Sequence, residues 1–285
     1  MSGTDHSAPA AAPSLLDEAA RLRDLPPDEA RAALDRFLAA LEAGDLRAAS
    51  PDPATPTGWR VEPRVKEGIL AAFALAREVD LAAGPLRFRD RDTLLPVDAL
   101  PPGARVVPGG TAIRRGAHLE PRVVVMPPAY VNVGAWVGEG TLVDSHALVG
   151  SCAQIGARVH LSAAAQVGGV LEPVGALPVV VEDDVFVGGN AGIYEGVVVK
   201  RRAVLAAGTI LTGSSQLHDL VRERVLQAEG DRPLVVPEGA VVVMGARPAS
   251  GAWARERGLS VATPVIVKYR DERTDAKTAL EGVLR

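Results

Sequence analysis

The stretch Val131-Asn-Val-Gly-Ala-Trp-Val137-Gly-Glu-Gly-Thr-Leu-Val143-Asp-Ser-His-Ala-Leu-Val149 decides how this chain folds. An aliphatic residue returns at every sixth position, and the rhythm runs on through Ile113, Leu119 and Val125 upstream and Ile155, Leu161 and Val167 downstream. After a break at 168–180 the spacing resumes in a shifted frame at Val181, Val187, Ile193, Val199, Leu205 and Leu211. A helix repeats every 3.6 residues or so and a strand every second residue, so an unbroken run of hexads fits neither a helix nor ordinary strand alternation. It fits a parallel β-helix, in which each hexad makes one short strand and one turn, the aliphatic side chain points inward, and three hexads close a triangular coil. Gly116, Gly134, Gly138, Gly140, Gly150, Gly156, Gly168 and Gly188 fit corners that need positive φ or close approach between coils.

Outward from the repeat, the pattern changes on both sides. Leu15, Leu16, Ala19, Ala20 and Leu22 predict a short helix, Pro26-Pro27-Asp28-Glu29 opens a second that Gly44 stops, and a third is expected from about Glu62 to Val79. The Ala-, Pro- and Ser-rich first dozen residues are expected to be a frayed tail. The breaks at 168–180 and 212–234 cannot continue the coil and are expected to leave it as excursions, which in a regular solenoid serve function or subunit contact. Val235 and Val241 are expected to point inward in a last partial coil, before a helix near 250–258 and a strand over Thr263–Tyr269. The expected division is therefore a helical domain over 1–104, a β-helix over 105–247, and a short α/β extension over 248–285.

Composition narrows the function classes. Aromatic residues are only 4% of the 285, so the core must be filled by Val, Leu, Ile and Ala. The lone Cys152 excludes an internal disulfide framework and any paired-cysteine metal site. No apolar run approaches the roughly 20 residues that span a bilayer, and the start of the chain lacks a basic region followed by an apolar one, so the expected location is the cytoplasm with no membrane partner. A net charge of −4 gives no global field for nucleic acid. An anionic ligand must be held by local arginines and lysines.

Longer words, not demanded by the hexads, carry a resemblance. Tyr130-Val-Asn-Val-Gly-Ala135, Gly140-Thr-Leu-Val-Asp144, Val149-Gly-Ser-Cys-Ala-Gln-Ile-Gly156, Val159-His-Leu-Ser162 and Gly168-Gly-Val-Leu-Glu-Pro173 closely resemble tetrahydrodipicolinate N-succinyltransferases, hexapeptide-repeat enzymes of lysine and diaminopimelate biosynthesis. So do the helical part around Trp59 to Phe73 and the tail Val267 to Lys277. The resemblance implies a left-handed β-helix, a homotrimer with active sites between neighbouring chains, and succinyl-CoA as the acyl donor to L-2-amino-6-oxopimelate, with no metal. It also implies that Arg105 of Arg105-Val-Val-Pro108 binds substrate and that Asp144 of Val143-Asp144-Ser145-His146 binds substrate and is catalytic. Two departures stand out: His146 replaces the usual Trp, and where some members read Ser-Glu-Val-Val-Glu-Gly this chain reads Ala191-Gly-Ile-Tyr-Glu-Gly196. Gly192 thus stands in place of the first glutamate, and Glu195 is the candidate for a second catalytic carboxylate.

Each candidate also has a structural explanation. Asp144 directly follows an inward valine, so its side chain leaves the coil near a corner, where an aspartate commonly bonds its own turn. A carboxylate there would accept the proton that an ammonium must lose before attacking a thioester. Glu195 is either catalytic or a surface acid beside Lys200 and Arg201. Arg105 could pair bidentately with a substrate carboxylate or make an ordinary surface ion pair. His118 and His160 lie seven hexads apart and fall on different faces, which argues against a three-histidine zinc site in one chain and so against a zinc hydratase. Cys152 suits a small core or turn position better than a nucleophile. The remaining rivals are an N-acetyltransferase on the same substrate and a non-catalytic trimeric scaffold.

Overall fold

The computed structural model describes residues 14–271. The expected N-terminal tail and the family-like words beyond Asp271 lie outside the described residues. Helices α1 (Leu15–Ala20), α2 (Pro27–Ala43) and α3 (Pro63–Leu75) form the N-terminal part. Local chemistry sets their ends. Ser14 and Asp17 make a reciprocal capping box on α1, Pro27 sits in the first turn of α2, and Gly44 closes α2 at a φ of 86°.

The third helix is shorter than its apolar spacing predicts. It stops at Leu75, and Glu78–Ala83 pairs antiparallel with Leu86–Arg91 as a hairpin around Gly84. Leu81 faces Phe88 across that hairpin and Ala83 faces Leu86, an alternation of period two that begins where the helical pattern was extended too far.

From Arg105 the chain winds as a left-handed parallel β-helix with three faces. The first face runs from His118–Leu119 to Val235–Val236, the second from Arg105–Val106 upward, and the third from Ala112–Ile113 to Ile210–Leu211. Successive coils stack in register, Val137 on Ile155 and Val143 on Leu161, so the inward residues form continuous columns of buried Val, Leu, Ile and Ala. Each fully buried valine contributes about 1.5–3 kcal/mol, which lets a core with so few aromatics hold together.

The glycines divide by task. Gly140 is left-handed at φ 67°, whereas Gly138 has ordinary φ, and any Cβ there would strike the backbone of Gly156 in the next coil. At the left-handed corner most other coils use a residue with a side chain, His146, Cys152, Arg158 and Ala164 among them.

Between Ile155 and Val181 the register step is 26 residues instead of the usual 18, and the surplus forms the first excursion. The second excursion carries a hairpin, Leu217–Asp219 with Arg224–Leu226, that joins the C-terminal strands Ala240–Pro248 and Ser260–Tyr269 in extending the second face. Helix α4 (Ala252–Glu256) lies between those two strands. In the last coil the inward residues are Val236 and Val242, not Val235 and Val241, because Val199 pairs with Val236 and Leu205 with Val242.

Candidate active site

The N-terminal part covers the first face. Arg47 lies 4.1 Å from the ring centre of Trp136 and 5.2 Å from that of Trp59, and its Nε donates to Gln154 Oε1 at 2.5 Å. Burial pulls its guanidinium down to about 10, against the pull of Glu120 and Asp183. His118 stacks on Trp136 at 4.1 Å, with Nδ1 2.8 Å from the Glu42 carbonyl, while His160 meets Phe186 on the second face. Functional surface is thereby left to the other two faces and to the corner that the first excursion crosses.

Asp144 stands half-buried at the corner between the second and third faces, and its Oδ1 accepts a 2.7 Å bond from the Ser145 amide. Arg105 is exposed on the same second face, paired with Val124, which pairs in turn with Leu142. The two residues are therefore two coils apart, about 10 Å along the axis at about 4.8 Å per coil. Glu195 stands exposed at the opposite edge of the third face, left-handed at φ 55°, with Oε2 accepting a 2.8 Å bond from the Gly213 amide. One chain brings Arg105 and Asp144 to a common face and does not bring Asp144 to Glu195.

Two clefts flank Glu195. One of about 790 Å³ lies between Thr55–Val61, the first excursion and the 228–233 loop. The other, of about 590 Å³, is lined by the excursion together with Tyr194, Glu195 and Thr212. The excursion is pinned from behind by Lys66 of α3, a fully buried side chain whose Nζ donates to the Ala176 carbonyl at 2.6 Å. Burial lowers the pKa of this ammonium, and the nearby Cys152 partly opposes that shift. Cys152 is itself buried in the helical core at φ 63°, where burial raises its thiol to about 12. Among the described residues no group of three or more His, Cys, Asp and Glu side chains is placed to hold a metal ion.

Sequence reasoning did not single out Lys66 and gave Tyr194 no role of its own. The signal for Tyr194 was present: in Gly192-Ile193-Tyr194 an inward isoleucine separates two outward positions, one empty and one bulky, so the ring has room to lie over the glycine.

Residues 16–75 match the family model described as tetrahydrodipicolinate N-succinyltransferase N-terminal, and residues 178–213 match the hexapeptide repeat of succinyl-transferase. A 2,3,4,5-tetrahydropyridine-2,6-dicarboxylate N-succinyltransferase from Rhodopseudomonas palustris (strain BisA53) is 44% identical over 119 residues, 42% of this chain and 40% of the relative. Over these segments the chain is similar to the tetrahydrodipicolinate N-succinyltransferases. Protein TabB of Pseudomonas amygdali pv. tabaci is 44% identical over 119 residues, with the same shares covered. A hexapeptide transferase family protein from Anaplasma phagocytophilum aligns with 64% of this chain and 85% of its own length, at 14% identity and a TM-score of 0.43. The matched segment spans about two fifths of the length of these N-succinyltransferase relatives.

Proposed function

We propose that the chain is a CoA-dependent N-acyltransferase that moves a succinyl group from succinyl-CoA to the amine of L-2-amino-6-oxopimelate, the opened form of tetrahydrodipicolinate, in lysine biosynthesis in the cytoplasm. The observation that carries this reading is the family match over residues 16–75, because that helical region is not required by the coil and is named for this activity alone. We take the chain as a helical domain (1–104), a β-helix (105–247) and an extension (248–285).

Asp144 takes one proton from the substrate ammonium and releases it to solvent; the freed lone pair attacks the thioester carbonyl; the new C–N bond forms as the C–S bond breaks; and the second proton lost by the nitrogen goes to the CoA thiolate, with no covalent acyl-enzyme. Arg105 grips a substrate carboxylate with its planar fork. Glu195 supplies the second carboxylate. Asp144 and Glu195 stand at opposite edges of one face, so a site using both is completed between chains, in keeping with a homotrimer whose outer Val and Leu positions on the second face need cover.

Steady-state turnover of tetrahydrodipicolinate with succinyl-CoA and with acetyl-CoA tests the reading. A kcat/KM at least tenfold higher for the succinyl ester is expected; preference for acetyl refutes the donor, and turnover of neither refutes the activity.

A further inference from the structure

We propose that the phenol of Tyr194 fixes the acyl-accepting amine, doing from above Gly192 what residue 192 has no side chain to do. This deepens the acyltransferase reading and rests on it.

Gly192 occupies an outward position on the third face, in a row whose other members, Ala112, Tyr130, Leu148, Gln166 and Ile210, all carry side chains. The space above Gly192 is filled all the same. A Cβ added to Gly192 would lie 2.5 Å from Tyr194 Cε2 and 2.9 Å from the Tyr194 hydroxyl, and one added to Gly168, a coil below, would lie 2.8 Å from Tyr194 Cδ1. Two glycines therefore clear a bed for one ring. The ring leans back across its own strand and sets its hydroxyl where the tip of a short side chain at 192 would otherwise end.

That hydroxyl has no hydrogen-bond partner among the described residues. Tyr194 lines the 590 Å³ cleft, whose lining holds Glu172 and Glu195 and no Arg, Lys or His. An acidic cleft of this kind favours an amine, and a phenol oxygen accepts an N–H bond without adding a third charge. Residues with two different jobs are thus separated: Arg105 holds a carboxylate end on the second face, and Tyr194 aligns the nucleophilic nitrogen on the third.

Calorimetric titration of L-2-aminopimelate, with pimelate as the analogue that lacks only the amine, tests the assignment. Tyr194→Phe keeps the ring on its two glycines and should weaken aminopimelate about tenfold while leaving pimelate unchanged. Gly192→Ala, whose methyl pushes the ring aside, should give the same selective loss. Equal affinity in wild type and Tyr194→Phe, equal losses for both ligands, or no binding of aminopimelate to wild type overturns it. An enzyme that binds aminopimelate through Tyr194 and acylates it with neither CoA ester refutes the acyltransferase reading and leaves this assignment standing.

Discussion

Asp144 and Glu195 differ in what holds them. Among the described residues Asp144 bonds only the amide next to it in sequence, whereas Glu195 reaches across a coil to the Gly213 amide, a contact that glutamine can also make. Asp144→Asn should therefore keep the melting temperature and lower kcat by roughly 10²–10⁴-fold. Glu195→Gln should match that loss if the carboxylate acts on substrate; kcat within about threefold of wild type would assign Glu195 to the corner alone. Corner strain gives a second prediction at this scale. Ala164 is held at φ 58°, which costs an L-residue about 1–2 kcal/mol, and glycine returns part of that gain through its freedom in the unfolded chain. Ala164→Gly should raise the melting temperature by about 1–3 °C in differential scanning calorimetry.

Among the elements, the coils were legible and their attachments were less so. One aliphatic residue per hexad dictates each strand, so the faces on which His118, Asp144 and His160 fall follow from counting sixes. The doublets Val235-Val236 and Val241-Val242 defeat that count, since either valine keeps the spacing and only pairing with Val199 and Leu205 chooses between them. The Glu78–Arg91 hairpin was missed because apolar residues of α3 run into its alternation without a break. The second excursion depends on one carboxylate. Burial would push Asp219 up, but hydrogen bonds from the Tyr269 hydroxyl at 2.7 Å, the amides of Arg222 and Val221, and Arg224 outweigh it and hold its pKa below the usual carboxylate value. A depressed folded pKa stabilises above about pH 4, the unfolded value, and that contribution is lost as pH falls below it. Hydrogen exchange at residues 217–226 should therefore quicken below about pH 4 while the coil stays protected. Asp219→Asn, costing about 1–3 kcal/mol at neutral pH, should remove the pH dependence.

For the whole molecule, the first face is covered by its own chain, and the second and third are not. Light scattering at micromolar concentration should give about 89 kDa, three times the 29.6 kDa chain; a mass near 30 kDa would remove the trimer and with it a site shared between chains. The register step across the first excursion has a mechanical consequence. Coils that touch only their neighbours should yield to a pulling force one at a time. Drawn out between its ends in an optical trap, the β-helix should lengthen in jumps of about 60 Å, the contour of an 18-residue coil, interrupted by a jump of about 90 Å where the 26-residue step between Ile155 and Val181 lets go and one of about 125 Å at the 37-residue step between Val199 and Val236. The order of the two long jumps would mark on the force trace where along the axis each excursion departs.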